Sequence, residues 1–129
     1  MPQPKADRLL FVALLIAVVF HGTALVYNVD KTYDAFVHIF FADHYLRSWF
    51  EPWEYRWYTG FTLTSYPPLS QQSVAAVSFL TGDLRLSFAI VQGTAMIVMT
   101  LGMYRFAQFW VSKEAAGWAA LLPLAAFDS

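Results

Sequence analysis

Asp34 and His38 lie four positions apart in the run Tyr33-Asp34-Ala35-Phe36-Val37-His38. On a helix that spacing puts both side chains on one face. A carboxylate beside an imidazole suits three tasks. With water the two can coordinate a divalent cation, the one cofactor this pair would call for. Asp34 can instead act as general base toward a hydroxyl, with His38 holding it in place. The two can also simply hydrogen-bond and fix the helix, and spacing alone does not choose among the three. Asp30 is the second candidate acid. Asp43 stands four residues before Arg47, which suits a surface ion pair. Glu51 and Glu54 flank Pro52 and suit the capping of a turn. Arg56 is the best cation for a phosphate, because a guanidinium matches phosphate oxygens. A salt bridge to Glu51 or Asp43 competes for it. Trp57 and Tyr66 join Arg56 as candidates for holding a substrate.

These residues sit in an unusual chain. Of its 129 residues, 58% are hydrophobic, 19% aromatic and 13% charged. Soluble domains average about 25% charged residues. So little charge excludes a disordered tail and covers a soluble surface poorly. The net charge of −1 argues against a nucleic-acid partner, since such proteins present a basic face. With no cysteine, disulfides, thiolate metal sites and cysteine nucleophiles are excluded. The chain also lacks a glycine-rich phosphate loop, a Ser-His-Asp grouping and an HExxH zinc motif.

The partner that fits this composition is a lipid bilayer. Residues 9–27 carry no charge, and as a helix they reach about 30 Å, the thickness of the hydrocarbon core. Lys5 and Arg8 precede them and favour a cytoplasmic N-terminus in a multi-pass cell-membrane protein. A cleaved signal peptide is the competing reading, but signal cores usually run about 7–15 residues. A second span is expected over 84–106, followed by Lys113. Residues 115–127 form a third apolar stretch, interrupted by Pro123 and too short for a comfortable crossing. Residues 67–82 suit an interfacial or short membrane helix better than a full span. That reading places Arg105 and Lys113 inside. His21, within the first span, earns a weak functional flag as an intramembrane ionisable group.

Residues 28–66 then form an external loop. They hold the acids and arginines named above, His38, His44, Trp49, Trp53 and Trp57. Residues 32–50 read as a juxtamembrane amphipathic helix ended by Pro52. The following segment is aromatic and turn-rich, with Gly60 at a turn. An interfacial aromatic belt explains the rings, and explains the clustered acids and histidines less well. The fold class expected is all-α: a polytopic membrane protein with 2–4 membrane helices and an external loop.

The order of short motifs carries a resemblance. After the Tyr33 to His38 run come Trp49-Phe50-Glu51-Pro52-Trp53, Arg56-Trp57-Tyr58-Thr59-Gly60-Phe61 and Ser65-Tyr66-Pro67-Pro68-Leu69. Over about residues 9–127 the chain resembles the N-terminal part of the 6-pyruvoyl-tetrahydropterin synthase-related membrane proteins. Those look in turn like GT-C glycosyltransferases, and nothing in the chain looks like the soluble synthase. The resemblance implies a polyprenyl-phosphate sugar donor used on the outer face of the membrane. It puts the catalytic acid at Asp34, with Asp30 as the alternative. It implies a metal or Arg56 to stabilise the departing lipid phosphate. GT-C proteins have more spans and often a second acidic motif, so the resemblance also implies a fragment that is inactive alone. The alternatives are a non-catalytic membrane scaffold or transport component, and a sensor that binds lipid or sugar without chemistry.

Overall fold

A computed structural model describes residues 4–31 and 33–125. The chain is mostly helical, at 78%. Helix α1 (Pro4–Leu15) runs through a π-helical stretch, Ile16–His21, into α2 (Gly22–Asn28). A 3-10 turn, Val29–Lys31, leads to α3 (Tyr33–Arg47). Two-residue strands β1 (Trp53–Glu54) and β2 (Phe61–Thr62) form a small antiparallel hairpin. After a 3-10 turn at Leu63–Ser65 come α4 (Pro68–Thr81), α5 (Leu84–Ala107), α6 (Lys113–Ala119) and α7 (Leu122–Ala125). The all-α expectation therefore holds apart from the hairpin, which the aromatic, turn-rich segment did not announce.

Among the described residues two stretches are long and apolar enough to cross a membrane, Arg8–Asn28 and Leu84–Ala107. Only 17% and 22% of their most apolar windows are buried. The core helix of a soluble protein would be mostly covered. Here Phe11, Val18, Val19, Phe20 and Val98 are all more than half exposed. Helix α4 has 14 residues, a length of about 21 Å at 1.5 Å per residue, well short of the hydrocarbon core. The stretch 115–127 is divided, and its last two residues lie outside the described ones. Helix α6 ends at Ala119, four residues before Pro123, whose ring would clash with a helical carbonyl at that distance.

The chain divides into two compact units. The first comprises Met1–Leu25 and Gln92–Ser129. Its core is built on small residues: Ala13, Ala17, Ala116 and Ala120 are at most 1% exposed and cluster with Met96, Tyr104 and Leu124. Without long side chains between them, α1 and α6 approach closely. His21 is buried here, with Phe20 edge-on to its ring.

The second unit, Val26–Val91, holds the candidate site. Helix α3 packs on α4 through Val37, Phe41, Tyr45, Leu63 and Ala75. Val29, Ala35, Ala42, Val74 and Phe88 form a neighbouring cluster. Local chemistry sets the element ends. Pro68 opens α4, where its missing N–H costs nothing. Gly82, at φ 70°, closes it and donates to the Ser78 carbonyl. Asp83 then caps α5, its Oδ1 accepting from the N–H groups of Arg85 and Leu86.

Candidate functional site

The hairpin is docked on α3 by polar groups. Glu54 is 2% exposed. Its Oε1 accepts from the Arg56 backbone N–H at 2.7 Å and from Arg56 Nε at 2.9 Å. Its Oε2 accepts from Arg56 Nη2 at 2.6 Å and sits 3.0 Å from His44 Nδ1. The other nitrogen of His44, Nε2, is 2.7 Å from the Glu51 carbonyl. Arg56 also donates through Nη1 to Asp43 at 2.6 Å, and Arg47 pairs with the same Asp43 oxygen. The Arg56 guanidinium lies 4.6 Å from the centre of the Phe40 ring, a cation–π contact.

The electrostatics follow from this geometry. The Arg56 hydrogen bonds hold the Glu54 carboxyl at about 2, well below its ordinary 4.5, against the opposing effect of burial. Burial raises the Asp43 carboxyl, but hydrogen bonds and charge from Arg47 and Arg56 outweigh it and lower it overall. The Arg56 guanidinium is held still more firmly protonated by Glu54, then by Asp43. Of the two salt bridges expected to compete for Arg56, the one to Asp43 forms. Its second partner is Glu54. The pairing of Asp43 with Arg47 forms as expected, and Glu51 caps its turn by accepting from the Trp53 N–H.

Asp34 and His38 share α3, but His38 takes a different partner. Its Nδ1 lies 3.0 Å from Gln71 Nε2 on α4, and Ser70 donates to Gln71 Oε1. With the amide nitrogen facing the ring, Gln71 donates and Nδ1 accepts. The His38 ring stacks near Phe88 and meets Tyr66 edge-on. The one lone pair of a neutral imidazole is thereby used, so His38 so bonded has none for a cation. No cluster of three or more metal-ligating side chains occurs among the described residues. A divalent cation held by Asp34 and His38 does not fit this arrangement.

Asp34 is exposed in the first turn of α3, where a carboxylate suits the helix dipole. It forms no hydrogen bond or ion pair among the described residues. The side chain of Asp30 lies outside the described residues. Trp57 is half-buried against Phe40, Phe41 and Phe61. Tyr66, 40% exposed, contacts His38, Phe41 and Phe61. Tyr33, Arg56, Trp57 and Tyr58 line an open cleft of about 330 Å³. A smaller cleft, about 210 Å³, lies over His44, Glu51 and Glu54.

Sequence reasoning does not pair His44 with Glu54: His44 reads only as part of the loop, and Glu54 as a turn cap, a role its Oε1 does fill by accepting from the Arg56 N–H. His44 lies on α3 and Glu54 on β1, so no single helical or strand pattern pairs them. No family model, curated protein or solved structure matches the chain.

Proposed function

We propose that the chain is the N-terminal part of a multi-pass membrane protein that transfers sugar from a polyprenyl-phosphate donor. Arg8–Asn28 and Leu84–Ala107 cross the bilayer in this reading. Arg8, Arg105 and Lys113 mark the cytoplasmic ends. The segment between the spans stands on the outer face, where α4, too short to span, lies along the interface.

Asp34 is the general base. It accepts the proton of an acceptor hydroxyl as that oxygen attacks the anomeric carbon. The bond from that carbon to the phosphate oxygen breaks, and polyprenyl phosphate leaves with the electron pair. The observation that carries this assignment is the availability of Asp34. Asp43 and Glu54 are committed to arginines, and Glu51 and Asp83 cap backbone, whereas Asp34 is exposed without a partner among the described residues. His38 holds α3 to α4 through Gln71 and positions Asp34 indirectly.

The test is transfer by the complete protein in vesicles supplied with polyprenyl-phosphate hexoses. Asp34→Ala should lower the rate about 10²–10⁴-fold, the usual contribution of a general base, with helical content unchanged. Full activity in that variant would sink the assignment. A second reading, a non-catalytic membrane scaffold, is favoured by one observation. Arg56 and the buried Glu54 serve to bind the hairpin to α3, through Asp43 and His44. Transfer absent from the wild-type protein would favour it.

A further inference from the structure

We propose that the cleft lined by Tyr33, Arg56, Trp57 and Tyr58 binds a single neutral sugar ring. This deepens the transferase reading by naming the residues that hold the sugar, and it rests on that reading only for the fate of the bound ring.

Tyr58 is the first observation. Its backbone φ is 51°, a left-handed conformation that a bulky residue adopts only under strain. Its side chain is 92% exposed and meets the Trp57 ring edge-on, so the core gains little from a tyrosine there. A strained residue with so small a packing return points to a task at the surface. Two residues on, Gly60 has φ 110°, and the Trp53 ring occupies the space a Cβ would need. The turn is therefore fixed in the shape that presents Tyr58.

The second observation is the lining. Tyr33 is 74% exposed. Trp57 is held in place by Phe40 and Phe41, with ring centres 5.5 and 5.8 Å away. A rigid indole edge beside two phenols offers apolar faces and polar tips together. A pyranose matches this, with C–H groups for the rings and hydroxyls for the phenols. The volume of about 330 Å³ falls at the small end of ligand sites, about 300–1,000 Å³.

The third observation is charge. A guanidinium has five N–H groups. Three of those on Arg56 go to Glu54 and Asp43 through its side chain. Its charge is offset by two carboxylates, which removes most of its attraction for a phosphate. Its remaining N–H groups still donate to neutral oxygens. The cleft thus favours hydroxyls over phosphate, contrary to the phosphate role expected for Arg56.

The test is saturation-transfer NMR on the full chain in nanodiscs, with methyl α-D-mannopyranoside and methyl β-D-glucopyranoside as probes. Ring C–H protons of at least one glycoside should saturate, whether or not the nanodisc lipid is anionic. Tyr58→Gly, which relieves the backbone strain while removing the ring, should reduce the signal about fivefold and leave helical content intact. Inorganic phosphate at equal concentration should not compete. No saturation of either probe, an unchanged signal in both Tyr58→Gly and Tyr33→Ala, or displacement by phosphate would overturn the proposal. Glycoside binding by a wild-type protein that transfers no sugar would support the subsite and sink the transferase reading. Transfer with unaltered KM in Tyr33→Ala and Tyr58→Gly would do the reverse.

Discussion

His44 Nδ1 and Glu54 Oε2 meet at 3.0 Å, and both side chains are at least nine-tenths buried. The ring's other nitrogen faces the Glu51 carbonyl. Both partners are oxygen acceptors, so both bonds form together only when both nitrogens carry protons. This contact, the Arg56–Asp43 pair and the packing of Trp57 and Phe61 on Phe40 and Phe41 fasten a hairpin of two-residue strands to α3. So short a ladder has marginal stability alone.

Glu54→Ala tests that dependence. It removes the acceptor of three Arg56 donors and one His44 nitrogen. Losing one partner of a buried ionic group costs more than the pair contributes when intact. Local stability should fall by about 2–3 kcal/mol, read as faster amide exchange across residues 51–63. Exchange in α5 should stay as it was.

Acid should act on the same contact. The Glu54 carboxyl is depressed from 4.5 to about 2 by Arg56. Its contribution is therefore complete above about pH 4.5 and is lost as pH falls toward 2. Asp43 shifts in the same direction. Fluorescence from Trp53 and Trp57 should report loosening of the hairpin in that window. In Glu54→Gln the acid transition should be much smaller.

Gly60→Ala should damage the turn. The added Cβ would lie 2.5 Å from Trp53 ring carbons, at a φ of 110° that alanine resists. A cost of about 1–3 kcal/mol is expected, with red-shifted indole emission as Trp53 moves out. A wild-type emission spectrum and unchanged melting would show that the turn relaxes without cost.

The helices were legible because their signals are local. The uncharged run 9–27 falls within the helical stretch Arg8–Asn28, and 84–106 corresponds to Leu84–Ala107. Pro68, Gly82 and Asp83 mark helix ends by chemistry that needs no tertiary context. The site was less legible. The i, i+4 spacing put Asp34 and His38 on one helix, but could not show that Gln71, thirty-three residues after His38, takes the imidazole. The hairpin is held by contacts between α3 and β1 rather than by an alternating strand pattern, and two-residue strands leave no period to read.

Sidedness tests the central claim most directly, that Leu84–Ala107 crosses the bilayer and the Asp34 segment lies outside. The chain has no cysteine, so Tyr55→Cys and Ser112→Cys each give one reporter. In intact cells an impermeant maleimide should label position 55 freely and position 112 only after permeabilisation. Labelling of both positions from the same side would contradict the account.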